Sequence, residues 1–524
     1  MVTSPHALAS QAGVQILQAG GSAIDAAIAA GAVLSVVYPH MTSLGGDAFW
    51  LIYDARAGGV RCLEAAGRAA ASATIEWFSA RGLREIPVRG IVPGTLTAPG
   101  AVDGWCEAHA AYGRLPLSTD LAAAVRYARD GFPVTERLAE WIERSADVLA
   151  TDPAAARIFL AEGRRPAAGR RLANPDLART LERLGDGRGG FYEGETASEM
   201  ARHAREHGGL FIERDLARPR SKWSASISAT YHGVTIHETP PPSQGLSVLQ
   251  ALRLLEPCEI GALPFLGPDH VHLLVQAKQI AFHDRDRLLA DPEFVPVPVD
   301  RLLSAAYADE RRRLMDRERA LPWDRVPSTG TLSGDTVYVA VVDAEGNAVS
   351  LIQSLYFGFG SGVVAGKTGV VLQNRSAYFS LDPAHPNRLE PGKRPLHTLI
   401  ASLAFKGGRP WQVLGCMGAD GQPQIHLQAY TALIDFGLDI QQAVEAPRWL
   451  AGRFGIGEPR DLLNLEGRFP ESTIAELARR GHAVNRWAAW NELAGHAHGI
   501  TIDPDSGVLA GGADPRSDGA AIGY

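Results

Sequence analysis

The sequence predicts an α/β protein in which stacked β-sheets lie between outer helices, and three observations carry that reading. Residues 334–343 and 348–355 are apolar runs rich in β-branched residues, joined by Asp343-Ala344-Glu345-Gly346-Asn347. They read as two buried strands closed by a short hairpin loop. Further strand-like runs at 48–53, 60–63 and 223–236 flank a mostly helical stretch from 104 to 204 with charged outer faces. Finally, the alanine-rich segment 23–37 is shorter than the roughly 20 residues a bilayer needs and carries Asp25, so it reads as a buried helix. Strands grouped apart from helices place sheets inside and helices outside.

Taken in order, residues 7–37 form two helices broken at Gly20-Gly21, the second starting behind Ser22 as N-cap. Leu44-Gly45-Gly46-Asp47 leads into the strand 48–53, the glycines allowing another backbone to approach closely. A loop at 54–59 precedes the strand 60–63, and the Pro-, Gly- and Thr-rich stretch 93–103 is expected to be irregular. After 223–236, the stiff loop Thr239-Pro240-Pro241-Pro242-Ser243-Gln244-Gly245 precedes a helix at 246–255, and a long helix follows at 269–289. Residues 303–335 hold an Arg-rich helix and then the polar stretch 327–334, which suits an exposed, cleavable linker. Beyond the hairpin come strands at 369–372 and 411–414, a helix at 424–436 and a strand at 499–502, with no internal repeat.

At 524 residues with a formal charge of −7, the chain needs no stapling device and has no basic run for tracking phosphates, which argues against nucleic acid as partner. Cys62, Cys106, Cys258 and Cys416 are widely spaced and expected to be reduced. No secretory signal is visible at the start and no segment suits a membrane span, so a cytoplasmic location is expected. No G-x-S-x-G elbow is present, and Gly358-Phe359-Gly360-Ser361-Gly362 reads as a tight turn, not a phosphate cradle. His270, His272 and His283 lack metal-ligand spacing and are expected at the surface, so neither metal nor cofactor is expected.

Thr336 opens the first hairpin strand. A threonine hydroxyl becomes a nucleophile when a base is within reach, and a threonine at a chain terminus carries its own base as a free α-amine. Such a terminus requires cleavage between Asp335 and Thr336; otherwise Thr336 is one of the threonines common in strands.

The decisive signal is a set of motifs in order. Gly20-Gly21-Ser22-Ala23-Ile24-Asp25-Ala26-Ala27, Leu44-Gly45-Gly46, Pro99-Gly100-Ala101-Val102, Tyr112-Gly113, Ala128-Arg129-Asp130-Gly131-Phe132 and Pro240-Pro241-Pro242-Ser243 come first. Asp284-Arg285, Asp291-Pro292, Gly346-Asn347-Ala348-Val349, Lys393-Arg394-Pro395-Leu396, Ala446-Pro447-Arg448 and Asp514-Pro515-Arg516 follow. In these the chain resembles, nearly end to end, the γ-glutamyltranspeptidase family of autoprocessing N-terminal-nucleophile (Ntn) hydrolases. The resemblance implies an α/β fold of the Ntn-hydrolase four-layer αββα sandwich type. It also implies a large subunit of residues 1–335 and a small one of 336–524, together one intertwined domain, and it leaves a dimer of such heterodimers open.

By the same resemblance Thr336 matches the nucleophile and cleavage site, and Ser354 a supporting hydroxyl. Gly418 and Ala419 match the oxyanion segment whose backbone N–H groups stabilise a tetrahedral intermediate. The substrate pocket departs from the family pattern. Tyr356 stands where transpeptidases place an asparagine, and Arg375 and Tyr378 stand where they place a glutamine and an acidic residue for the substrate amine. His397 and Thr398 replace paired carboxylate-binding serines, Arg68 is a shifted candidate for the family arginine, and the lid segment 379–393 is short. An ammonium buried against Arg375 without an anion would cost several kcal/mol, whereas Arg375, Arg68 and His397 suit a carboxylate without an amine.

The chain therefore resembles short-lidded amidohydrolases such as oxamate amidohydrolase and the cephalosporin acylases. The expected partner is a small carboxylate-bearing amide such as oxamate, hydrolysed to oxalate and ammonia. Two alternatives stand beside this: a γ-glutamyl hydrolase or transpeptidase acting on glutathione, and a non-catalytic small-molecule binding protein on the same fold. A structural salt bridge is the alternative role for Arg375.

Overall fold

The computed structural model describes residues 1–160, 165–218, 221–327, 334–454 and 458–524. The hairpin is as expected, with strands Asp335–Val342 and Ala348–Tyr356 paired antiparallel. Among the described residues they form the centre of a seven-stranded sheet in the order Ala520–Ile522, Val2–Ser4, Asp335–Val342, Ala348–Tyr356, Asp47–Asp54, Gly59–Ala65, Lys222–Ser224. A second sheet runs Leu509–Ala513, Ala497–Ile502, Arg409–Cys416, Ser402–Lys406, Val234–Glu238, Ile227–Tyr231.

Side-chain alternation explains why the sheets stack. Along the first hairpin strand Val337, Val339 and Val341 face the core shared with the N-terminal helices, while Tyr338, Ala340 and Val342 face the other way. On that second face they meet Leu403, Phe405, Val413 and Ile500 of the partner sheet. A strand buried on both faces must be apolar throughout, which is why this run shows no polar alternation. The helices Gly245–Leu255, Pro268–Leu288 and Gln422–Ile434 cover the outer face of the second sheet through Ile236, Ala404 and Leu414. Helix, sheet, sheet, helix is the four-layer αββα sandwich.

The helix Ala23–Val37 is buried along its whole length, and Ser22 caps it through a box with Asp25. No helix among the described residues is long and apolar enough to cross a membrane. The Gly358–Gly362 stretch is a turn, with Phe359, Gly360 and Gly362 at positive φ, and the four cysteines are free.

Three expectations need correction. The stretch 93–103 is not irregular: it contains the end of helix Ile91–Leu96 and the start of Ala101–Tyr112. Burial of Leu96, Ala101 and Val102 outweighs the local Pro and Gly content. Residues 369–372 form only isolated bridges, Val371 to Val364 and Leu372 to Gly45, the Leu372 carbonyl being taken by the N–H and hydroxyl of Ser361 in the turn at 358–362. His270 and His272 are buried, not at the surface, since the long helix is covered on most sides. His270 packs on Phe265 and Phe436, and His272 bonds His482 at 2.8 Å. The expected linker at 327–334 falls mainly on 328–333, outside the described residues.

Candidate active site

The site forms where three central strands of the first sheet end together. In the hairpin register Gln353 faces Val337 and Tyr356 faces Asp335, so a bulge at Ser354-Leu355 lies opposite Thr336. The bulge brings the Ser354 hydroxyl to the Thr336 hydroxyl, which donates to it at 3.1 Å. The backbone N–H of Tyr356 also donates to Ser354 Oγ, at 2.8 Å. Tyr356 holds a φ of 86°, a strained value for a non-glycine residue and one that concentrates at functional sites. Gly46 lies against this bulge, where a Cβ would collide with the Ser354 carbonyl oxygen.

Arg375 is 1% exposed, with its guanidinium 4.2 Å above the Tyr356 ring. Its Nη1 donates to Thr398 Oγ1 at 2.6 Å and its Nη2 to Ser354 Oγ at 3.4 Å, while Nε has no partner. Among the described residues no carboxylate forms an ion pair with it, so the structural salt bridge is not what holds it. Burial lowers its pKa against the pull of Tyr356 and Asp47.

His397 is buried beside it, with Nε2 3.1 Å from Asp47 Oδ2. Burial and the Arg375 charge push the imidazole down to about 4 despite Asp47, so it is neutral at pH 7. Asp47 is itself fixed at Oδ1 by the backbone N–H groups of Gly67 and Gly100 and by Gln373. The proline-rich loop fixes the backbone here: His397 N–H donates to Pro242 and Gln244 N–H to His397.

Gly418 and Ala419 form a turn with φ of 139° and 46°. The Ala419 carbonyl accepts from Gln244 Nε2 at 2.8 Å, and the same amide donates to the Thr398 carbonyl at 2.9 Å. Arg285 Nη1 in turn donates to Gln244 Oε1 at 2.7 Å and to Asp420 Oδ1 at 2.6 Å, and Tyr378 OH donates to Asp420 Oδ1 at 2.8 Å. Burial works against the Arg285 charge, but Asp286 and Asp420 outweigh it and raise its pKa. Gln244, Arg285, Asp420 and Asp47 carry no distinct signal of their own in the sequence, although Asp47, Gln244 and Arg285 lie in or beside the family motifs.

Gly334 packs on the same turn, where a Cβ would sit 2.7 Å from that of Ala419 and 3.1 Å from the Tyr356 ring. The peptide leading to Thr336 therefore runs past the Gly418-Ala419 turn. Beside Tyr356 and Tyr378 opens a cavity of about 540 Å³ lined also by Phe357, Phe379, Arg285 and Arg453. The structure thus brings together Thr336, Ser354, Tyr356, Arg375 and Thr398 through direct contacts, and Tyr378, Ala419 and Thr398 through Asp420 and Gln244. Arg68 is turned elsewhere: its guanidinium bonds Glu293 at 3.1 Å and the Gly392 carbonyl at 3.1 Å.

A hydroxyl held by a second hydroxyl, a buried guanidinium one side chain away and an adjacent turn of backbone amides is an arrangement suited to acyl transfer. Comparison with known proteins agrees. The profile of the Gamma-glutamyltranspeptidase family matches residues 9–524. A glutathione hydrolase-like proenzyme (YwrD) of Bacillus subtilis (strain 168) is 42% identical over all of this chain and 98% of its own length. The oxamate amidohydrolase proenzyme of Klebsiella pneumoniae is 40% identical over all of this chain and 98% of its own length. The crystal structure of a cephalosporin acylase from Bacillus halodurans superposes with a TM-score of 0.91 at 39% identity, covering all of this chain and 96% of that one. The chain belongs to the γ-glutamyltranspeptidase family and is an amidohydrolase of that family.

Proposed function

We propose that the chain matures by cleavage between Asp335 and Thr336, into residues 1–335 and 336–524, and then hydrolyses a short amide whose acyl part carries a carboxylate. Oxamate is the first candidate. In this reading the freed Thr336 amine takes the hydroxyl proton as Oγ1 attacks the amide carbonyl. The N–H groups of Gly418 and Ala419 receive the oxyanion, and the amine leaves with the proton held by the Thr336 α-ammonium. Water then attacks the acyl ester, with the same amine as base. Ser354 orients the nucleophile, and Arg375, with Thr398 and His397 around it, binds the substrate carboxylate.

One observation carries the substrate reading: a buried, carboxylate-free guanidinium separated from Thr336 by a single hydroxyl. Attack needs the carbonyl carbon about 3–3.5 Å from the hydroxyl, and a guanidinium holds a carboxylate at about 2.7–2.9 Å. With only Ser354 between the two groups, the carboxylate fits when bonded to the reacting carbonyl or one carbon beyond it. A γ-glutamyl carboxylate, three carbons away, would have to fold back. The nearby carboxylates are also taken, Asp420 by Arg285 and Tyr378 and Asp47 by His397 and backbone amides, which leaves an ammonium without an anion. Relatives of the chain include both an oxamate amidohydrolase and glutathione hydrolases, so the test is direct. Ammonia release from oxamate is measured beside hydrolysis of γ-glutamyl-p-nitroanilide; much faster turnover of the glutamyl substrate would overturn the roles given to Arg375 and Tyr378.

A further inference from the structure

We propose that Asp25, His109 and Asp120 hold a divalent cation of the zinc or manganese class, which ties together the helices Ala23–Val37, Ala101–Tyr112 and Leu117–Asp130. One ligand atom from each residue lies within 4.8 Å of the others. His109 Nε2 is 3.9 Å from Asp25 Oδ1 and 3.7 Å from Asp120 Oδ2, and 2.8 Å from the Leu115 carbonyl oxygen.

The carboxylates themselves point to a ligand. Asp25 and Asp120 are both fully buried; no donor from the rest of the protein reaches Asp25 Oδ1 or either oxygen of Asp120, and the two carboxyl groups meet each other. Asp25 is pre-aimed: its Oδ2 accepts from the Ser22 N–H, the Ser22 hydroxyl and the Arg114 N–H, which leaves Oδ1 turned inward. Two buried carboxyl groups facing each other hold either a proton or a cation between them. The His109 Nε2 proton is directed at Leu115, and both carboxylates lie beyond hydrogen-bond reach of that nitrogen.

A cation taking the place of that proton would gain imidazole, two carboxylates and the Leu115 carbonyl as ligands. In a tetrahedral site with bonds of about 2.0–2.1 Å the ligands stand roughly 3.3–3.5 Å apart, so the carboxylates must close in on Nε2 by a few tenths of an ångström and the Leu115 carbonyl must open by roughly half an ångström. Mixed imidazole and carboxylate ligands favour zinc or manganese over calcium. His109 is partly exposed and gives an entry path.

The alternative is a proton shared by Asp25 and Asp120, since without a cation burial, the Asp25 charge and a hydrogen bond with Asp25 push the Asp120 carboxyl up to about 9. The two are separable with chelator-treated full-length protein dialysed against zinc or manganese and then measured for metal content and melting temperature. The proposal expects one cation per chain and a raised melting temperature in the native protein. Asp120→Asn and His109→Gln should each lose that one equivalent and the melting response, whatever their activity. Equal metal content in the native protein and either folded variant would overturn it, as would a native melting temperature indifferent to both metals.

Discussion

Replacing Arg375 by methionine should separate function from stability, with opposite signs. Methionine keeps much of the buried stem and removes the guanidinium that sits one hydroxyl from Thr336. Losing one partner of a desolvated charge pair costs about 2–5 kcal/mol, so kcat/KM for oxamate should fall roughly 30- to 5,000-fold. The protein itself should not suffer. Burial disfavours the Arg375 charge, and among the described residues no carboxylate pairs with it directly, Asp47 and Asp420 offsetting the burial only in part. What is lost is the stacking on Tyr356, about 0.5–2 kcal/mol, and the hydrogen bonds to Thr398 and Ser354, about 1–3 kcal/mol, while relief from burying an unpaired cation is of several kcal/mol. Melting temperature is therefore expected to hold or rise as activity falls. The assay pairs ammonia release from oxamate and from its uncharged diamide with a thermal melt. The variant should lose its preference for the acid. Unchanged kcat/KM, or a lowered melting temperature that accounts for the lost activity, would refute the reasoning.

Other expectations follow from the same geometry. Gln244→Leu removes the amide that ties the Ala419 carbonyl to Thr398; a misplacement of the turn should cost about 10²-fold in kcat with KM little changed, and a pure KM effect would contradict the positioning role. Gly46→Ala puts a Cβ into the Ser354 carbonyl and should push the strands apart at the bulge, slowing chain cleavage on a denaturing gel; a wild-type rate would show that the contact is not needed. Acid should destabilise the fold between pH 6.5 and 4. The imidazoles of His6, His270, His397 and His498 lie at about 4 in the folded protein because burial disfavours their charge. With folded values below unfolded ones, their contribution is whole above about pH 6.5 and is lost as pH falls to about 4. Urea midpoints across that window should drop, and His270→Phe, far from the site, should flatten part of the slope.

Much of the fold was legible because it rests on period and burial. The runs 335–342 and 348–356 are apolar throughout because both their faces are covered, and the small side chains of 23–37 fit a helix enclosed on all sides. Where local composition competed with packing, packing decided: helix Ile91–Leu96 forms in spite of Pro93 and Gly94, and His270 and His272 sit inside a helix with little polar face. Thr336, Ser354 and Arg375 could be placed through motif order. Their mutual geometry could not, because it depends on a bulge opposite Thr336 that no local pattern announces. Asp47 and Gln244 escaped notice for a related reason. Each looks like an ordinary loop polar residue until folding sets Asp47 against His397, 350 positions away, and Gln244 against Ala419, 175 away.

The central claim is that Thr336 becomes a chain terminus and acts as the nucleophile. Intact mass spectrometry under denaturing conditions, on the purified protein and its Thr336→Ala variant, tests it most directly. The account predicts two fragments from the native sequence, the smaller beginning at Thr336, and one uncleaved, inactive chain from the variant. A native protein that stays in one piece while turning over substrate, or a variant that is still cut before position 336, would contradict it.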